Sequence, residues 1–520
     1  MTESSLIGFS TGIANDATFN AINPATGEAS DLSFCHASGE EVAKACELAS
    51  GASLEMASLS GAQKAGFLRD LADRIDGLVE QLVVTMTGET GLPEPRVRGE
   101  TGRTTSQLRM FANLVESGNW VDARIDRAQP DRQPLPKPDL RSMLRPVGPV
   151  VVFCASNFPL AFSVAGGDSA SAWAAGCPVI VKAHHAHPGT ALLVGNAVVD
   201  SVRASGLPEG AFSLIFGDGR TVGQSLVSHP AIKAVGFTGS RAGGRALFNL
   251  ASQRDEPIPV YAEMSSINPI FILPGLSEER MNEIAGGLQG SATLGVGQFC
   301  TNPGIVFYPR GGGGESLVAS YVEKMKETAS SPMLHQGIRN AYGEGVEALG
   351  GCEGVEVLVP APDGSGEGGC HAGACVLSTD AESFLKNERM MEEVFGPSTL
   401  LVSYESPDDL PRLADSLEGQ LTASLFGKEE QLSDFGELLD LLETKAGRLL
   451  FNQFPTGVEV CASVVHGGPY PATTDGRSTS VGTGAILRFA RPVCYQGFPD
   501  ELLPGELKET NPMDISRMEA

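Results

Sequence analysis

None of the ten cysteines in this 520-residue chain forms a CxxC pair. The nearest two, Cys370 and Cys375, sit in a glycine-rich loop. A structural zinc site wants ligands paired at tight spacing, so none is expected. A chain this long buries enough apolar surface to need no disulfides, and free thiols in a reducing compartment are expected. Long hydrophobic runs are also missing. No run approaches the roughly 18–20 apolar residues of a membrane span. The start, "MTESSLIGFSTG", has neither a basic n-region nor a long apolar core, so no signal peptide is read there. Positive charge is scarce: 37 basic residues against 63 acidic ones leave a formal charge of −26. That excludes DNA, RNA or an anionic membrane as the main partner. The glycine-rich turn in "VGFTGSRAGGRAL" is not GxGxxG, and there is no internal repeat and no long low-complexity tract. What remains is a cytoplasmic α/β enzyme of two or three domains.

From Pro149 onward short β-branched runs alternate with helical stretches. "PVVVF" (149–153) and "PVIVK" (178–182) read as buried strands, followed by helices in "LAFSVAGGDSASAWAAG" and "TALLVGNAVVDSVRASG". "FSLIFG", "IKAVGFTG" and "RAGGRALFNLAS" continue the alternation. Such βαβ grammar predicts a doubly wound parallel sheet with ligands at the strand C-terminal ends. After residue 265 the grammar resumes in "NPIFILP", "GIVFYPR", "STLLVSYES", "LTASLFG" and "GRLLFNQFP", predicting a second α/β domain. Amphipathic helices fill residues 37–117, one of them running unbroken through "AQKAGFLRDLADRIDGLVEQLV". The proline-rich stretch 122–144 is a linker or an edge segment, and the glycine-rich stretches "RGGGGE" and "PAPDGSGEGGC" are surface insertions.

Cys300, in "GVGQFCTNPG", is either a packed small hydrophobe or a nucleophile. Asn157, after the first strand, by itself reads as a helix N-cap; it could also donate to a developing oxyanion. Glu263 in "YAEMSSINP" is a solvated loop carboxylate or a general base. The turn "FTGS", with Gly239 and Ser240, could bring a phosphate to a helix N-terminus. Glu393 and Phe395 stand ahead of a strand in "MEEVFGPSTLLV". His184, His185 and His187 lie on one turn; adjacent histidines seldom converge, so no metal is expected. His466 in "HGGPY" reads as a loop histidine capping a turn.

Taken in order, Asn-Phe-Pro, Val-Lys, Phe-Thr-Gly-Ser, Glu-Met-Ser-Ser-Ile-Asn-Pro, Gln-Phe-Cys-Thr and Glu-Glu-Val-Phe-Gly-Pro resemble the aldehyde dehydrogenase superfamily over residues 20 to 500. The stretches "FNQFPTGVEVCASVVHGGPYPATTD" and "RPVCYQGFPDELLP" are most similar to bacterial α-ketoglutaric semialdehyde dehydrogenases, with NADP-linked fatty aldehyde dehydrogenases as the neighbouring branch. The resemblance implies two doubly wound α/β domains plus a small β oligomerisation element. Coenzyme binding falls to residues 1–127 and 147–264, and catalysis to 265–483. The oligomerisation element falls to 128–146 and 484–500, and a C-terminal tail to 501–520. One departure stands out: "EMSSI" occupies the place of the common Glu-Leu-Gly-Gly-Lys, and it puts the geometry of that loop in question.

The resemblance also implies roles. Cys300 is the nucleophile, Asn157 with the Cys300 N–H holds the oxyanion, and Glu263, its pKa raised by burial, activates the hydrolytic water. Glu393 holds the nicotinamide ribose and Phe395 packs on the ring. An intact Glu263 argues against a CoA-acylating enzyme, and the full residue set against a non-catalytic structural protein. Lys182 faces the adenosine ribose. Three residues on, where NAD-specific relatives carry a glutamate, stands His185; Arg220 in "FGDGR" could clamp a 2′-phosphate. NADP is therefore the expected coenzyme, with NAD usable and no metal. Arg103, beside Phe158, is the candidate for a substrate carboxylate, and the substrate expected is 2,5-dioxopentanoate, with a long-chain fatty aldehyde as the alternative. A homodimer or homotetramer is implied.

Overall fold

The computed structural model describes residues 2–361 and 369–520; most of the "PDGSGEGG" insertion lies outside them. The β-branched runs form the middle of a seven-stranded sheet. Its order is Val260–Glu263, Ala234–Thr238, Val150–Phe153, Val179–Lys182, Phe212–Ile215, Leu6–Ile7 and Ser10–Thr11. The first five strands are parallel, and the N-terminal hairpin adds an antiparallel edge. Strands covered on both faces need apolar residues at every position, which "VVVF" and "VIVK" supply. One face carries Phe67, Leu71, Leu108, Phe111 and Trp173; the other carries Val42, Leu226 and Leu247.

The second sheet also has seven strands. In order they are Glu356–Val359, Cys375–Asp380, Ser398–Tyr404, Ile305–Pro309, Ile270–Ile272, Gln420–Phe426 and Ala446–Phe451. Leu410, Leu413 and Leu442 cover one face and Ile284, Leu317 and Tyr321 the other. The fold is thus a two-domain α/β architecture with two doubly wound sheets.

Local departures from the sequence reading have local causes. The long helix from residue 62 to 83 is two helices, Gly61–Gly77 and Val79–Thr90, because Leu78 leaves the helical path at φ −95°, ψ 0°. The helix expected from Leu160 onward begins only at Gly167; Ala161–Gly166 forms turns whose close backbone contacts leave no room for a Cβ at Gly166. The helix expected over "ADSLEGQ" is Asp409–Ser416 instead. Strand Cys375–Asp380 was not anticipated.

The stretch 122–144 is no free linker. Arg124–Asp126 and Leu140–Pro146 pair as antiparallel strands, and Ala490–Gln496 adds to the latter. The last residues are not a loose tail: Met518–Glu519 pairs with Arg124–Ile125, and Leu503, Leu507 and Ile515 pack on Val121, Ala123 and Met143.

Candidate active site

Three loops meet where the C-terminal ends of the first sheet face the second. One follows strand Val150–Phe153, one precedes strand Ile305–Pro309, and one runs from Val464 to Ser480. The backbone turns left-handed at three consecutive residues just before the cysteine: φ is 56° at Gly295, 57° at Val296 and 65° at Gly297. Glycine is required at 297, where a Cβ would lie 2.3 Å from the Gly396 backbone. That approach sets the Cys300 loop against the segment carrying Glu393 and Phe395, and Asn302 Nδ2 donates to Gly396 O at 3.1 Å. Asn268, itself at φ 49°, fixes the loop from below by donating to Cys300 O and Asn302 O, each at 2.9 Å.

Cys300 Sγ lies 3.3 Å from His466 Nε2, and the same nitrogen lies 3.0 Å from Glu263 Oε1. The His466 and Glu263 side chains are 1% and 2% exposed, while Cys300 is half-buried. Ser480 Oγ donates to Glu263 Oε2 at 2.7 Å and lies 3.1 Å from His466 O. His466 is therefore no capping residue of a loop. It is buried against the cysteine, 166 positions away in sequence. Neither its spacing nor its neighbours signal this; only the loop return at Glu263, through Met264 N to Ala472 O, brings it in.

The electrostatics differ from the sequence expectation. Burial alone would raise the Glu263 carboxyl, but the His466 ring, the Ser480 hydroxyl and the Cys300 thiol outweigh it and hold it below its ordinary value. Glu263 stays ionised. Burial, and then the Glu263 charge, push the Cys300 thiol well above its ordinary value, with Arg103 opposing. Burial raises Glu393 to about 7, against hydrogen bonds from Ser265 and the Ser266 backbone. The unusual "EMSSI" loop is thus accommodated: its serines supply donors to Glu393, while Ser266 Oγ also binds Gln420 Oε1 at 3.0 Å.

Asn157 caps no helix. Its Nδ2 donates to Gln298 O at 3.1 Å, which leaves one amide N–H uncommitted beside the cysteine loop. Glu100 holds that loop by accepting from Leu160 N and Ala161 N at 2.9 and 3.0 Å. Phe158 packs edge-on to Phe299 and Phe162. Arg103 lies over the rings of Phe158 and Phe162, with centroids 5.4 and 5.6 Å from its guanidinium, and its Nε is buried without a partner. Among the described residues no carboxylate pairs with it. Arg109, six residues on, is neutralised by Asp73 and Asp76 at the surface.

The residues at the other strand ends are Lys182, Asp218, Arg220, Gly239 and Ser240. Lys182 is buried and without an ion pair among the described residues, and burial lowers its pKa. Asp218 turns its carboxylate to the backbone N–H groups of Arg220 and Thr221, at 2.8 and 2.6 Å, instead of to the Arg220 guanidinium. Arg220 itself is exposed. Ser240 caps helix Arg241–Ser252 by accepting from Gly243 N, next to Gly239. An unpaired buried ammonium, an exposed guanidinium and a capped helix start fit an anionic, hydroxyl-bearing cofactor. Phe395 lines one cavity with Glu393, Ser266 and Asn302.

The histidines do converge, contrary to the sequence reading. His184 stacks on His185 and His187 with centroids 4.4 and 5.5 Å apart, and His335 arrives from the second domain. His184 Nδ1 accepts from Ala186 N and His335 Nδ1 from Gly337 N, each at 3.1 Å. One ring nitrogen each of His184, His185 and His335 lies within 4.8 Å of the others.

The chain matches the pattern of the Aldehyde dehydrogenase family over residues 13–468. It is 49% identical to Alpha-ketoglutaric semialdehyde dehydrogenase 2 of Azospirillum brasilense, covering 100% of this chain and 98% of that protein. It is 44% identical to Alpha-ketoglutaric semialdehyde dehydrogenase of Acinetobacter baylyi, covering 97% and 95%. Among solved structures, lactaldehyde dehydrogenase from Escherichia coli superposes with a TM-score of 0.82 over 95% of this chain and 99% of that one, at 21% identity. 3,6-Anhydro-L-galactose dehydrogenase, solved in complex with NAP, does so with a TM-score of 0.81 over 95% and 100%, at 20% identity. With a cysteine, a carboxylate and an amide gathered at the sheet ends, the chain belongs to the aldehyde dehydrogenase family.

Proposed function

We propose that this aldehyde dehydrogenase oxidises 2,5-dioxopentanoate to 2-oxoglutarate through a covalent Cys300 intermediate, with NADP preferred over NAD. The observation that carries the substrate is Arg103: a guanidinium with a buried, unpartnered Nε and no ion pair among the described residues, in an aromatic pocket beside the cysteine. A carboxylate is the group that satisfies it. The names of the relatives from Azospirillum brasilense and Acinetobacter baylyi support the same substrate. The apolar lining, Phe158, Phe162, Phe299 and Val460, favours a long-chain fatty aldehyde as second reading, but leaves Arg103 without a role.

In the proposed reaction Cys300 Sγ attacks the aldehyde carbon as its proton passes to the Glu263–His466 pair that faces it, with His466 Nε2 3.3 Å from the sulfur. The new oxyanion takes the uncommitted Asn157 N–H and the Cys300 backbone N–H, donors already in place before charge develops. The bound coenzyme supplies the hydride acceptor, leaving a thioester on Cys300. Ionised Glu263 then takes a proton from the water that cleaves the thioester. Lys182, His185, Arg220, Gly239 and Ser240 would hold the adenosine end, and Glu393 and Phe395 the nicotinamide end. The missing carboxylate at position 185 and the free Arg220 support NADP. A homodimer or homotetramer built through strand Ala490–Gln496 completes the reading.

The test is Arg103→Ala. KM for 2,5-dioxopentanoate should rise at least tenfold while KM for hexanal stays unchanged. Equal changes for both aldehydes would remove the substrate assignment.

A further inference from the structure

Cys300, His466 and Glu263 also have the donor set of a zinc site, and nothing in aldehyde oxidation uses a metal. One ligand atom from each lies within 4.8 Å of the others. Tetrahedral zinc with ordinary Zn–S, Zn–N and Zn–O bonds places its sulfur and nitrogen about 3.6 Å apart, and nitrogen and oxygen about 3.4 Å apart. The separations here are 3.3 and 3.0 Å, so a spread of a few tenths of an ångström would admit the ion.

A second observation points the same way. Glu263 Oε1 is buried and accepts no aligned hydrogen bond, although Nε2 lies beside it. Its sister oxygen is held by Ser480 Oγ at 2.7 Å, the kind of outer partner that orients a metal-bound carboxylate. A buried acceptor, a ring nitrogen and a sulfur lie together, and the cysteine is only partly buried.

We propose that these three residues bind a thiophilic divalent cation, zinc, which reversibly blocks the nucleophile; this rests on the reading of Cys300 as that nucleophile. Binding exchanges the S–H bond for S–Zn and releases one proton to solvent, so affinity rises with pH. Thiolate and carboxylate then balance the ion's two charges. Magnesium and calcium, which want oxygen ligands only, are rejected. His466 Nδ1 has no acceptor behind it, so the ring lacks the support that permanent zinc sites give their histidines, and the ion stays exchangeable.

The experiment titrates chelator-buffered zinc chloride into the full-length, coenzyme-free enzyme and follows heat and the alkylation of Cys300 by iodoacetamide, read by peptide mass. One ion per chain should bind, block alkylation, and inhibit aldehyde oxidation competitively with the aldehyde until EDTA is added; magnesium should do none of these. Cys300→Ser and His466→Gln should each weaken binding roughly a hundredfold, and Glu263→Gln about tenfold. Cobalt on the wild-type enzyme gives a reading that needs no variant: tetrahedral visible bands with a near-ultraviolet thiolate band. Undiminished zinc binding in Cys300→Ser, a cobalt complex without the thiolate band, or inhibition abolished by His335→Ala would overturn the proposal. Aldehyde oxidation surviving in Cys300→Ser would instead overturn the covalent mechanism.

Discussion

Cys300 illustrates how a residue's chemistry depends on what faces it. Its thiol is disfavoured as an anion by burial and by Glu263, and the groups that face it are His466 and Glu263. Two predictions follow from that triangle. His466→Gln should lower kcat/KM about a hundredfold while coenzyme affinity is kept, measured by steady-state kinetics and coenzyme titration; an unchanged kcat/KM would mean the ring only packs. Glu263→Gln should reduce one coenzyme per active site in a rapid burst and then stall as thioester, and a full steady-state rate would end its assignment as the hydrolytic base.

Glu393 carries a pH prediction. Its folded pKa, about 7, lies above the ordinary carboxylate value because of burial. A raised carboxyl is neutral below that value and must be ionised against burial above it, so the stability it contributes at low pH is lost as pH rises through about 7. Ribose hydroxyls donate to the ionised form. Coenzyme affinity should therefore tighten as pH rises through about 7, and Glu393→Gln should flatten that rise in a fluorescence titration.

At the scale of elements, turns and helix starts place the groups. The Asp218 carboxylate is spent on the N–H groups of its own turn, which leaves the Arg220 guanidinium without an ion pair among the described residues. Arg220→Ala should lower NADP affinity about tenfold and leave NAD affinity nearly unchanged, as measured by Kd for each; equal losses would mean that the arginine touches no phosphate. Gly297→Ala would force a Cβ into the Gly396 backbone at a left-handed residue. It should cost at least about 2 kcal/mol and lower kcat by displacing the Cys300 loop, checked by thermal denaturation alongside turnover.

At the scale of the whole molecule, the small sheet has two unequal edges. Two residues, Met518–Glu519, edge the side of Arg124–Asp126, while the longer strand Ala490–Gln496 has no strand on its outer side among the described residues. Exposed Leu487 and Phe498 flank that open strand. An open edge beside apolar side chains is a ready pairing surface. Cys494→Lys, in the middle of it, should shift the assembly toward monomer in sedimentation velocity; an unchanged sedimentation coefficient would place the subunit contact elsewhere.

The alternation of β-branched runs with helices was readable along the chain, because a strand buried on both faces must be apolar at every position; "VVVF" and "VIVK" have no other reading beside their helices. Cys300, Glu263 and Asn157 were singled out because the order of their segments resembles a family; taken alone, Asn157 read as a helix cap and Glu263 as a solvated carboxylate. His466 was not legible: its neighbours "HGG" describe a loop, and its meeting with Cys300 depends on a return of chain over 166 positions. His335 reached the His184 turn the same way, from another domain. The sign of the Glu263 shift was likewise a tertiary matter, since burial argued upward and only the partners gathered around it turned the balance down. The sequence by itself determined which segments become strands and which residue types stand at their ends. The tertiary structure alone decided which of those ends face one another, because contacts between distant segments come from packing two sheets together and leave no period or spacing in the chain.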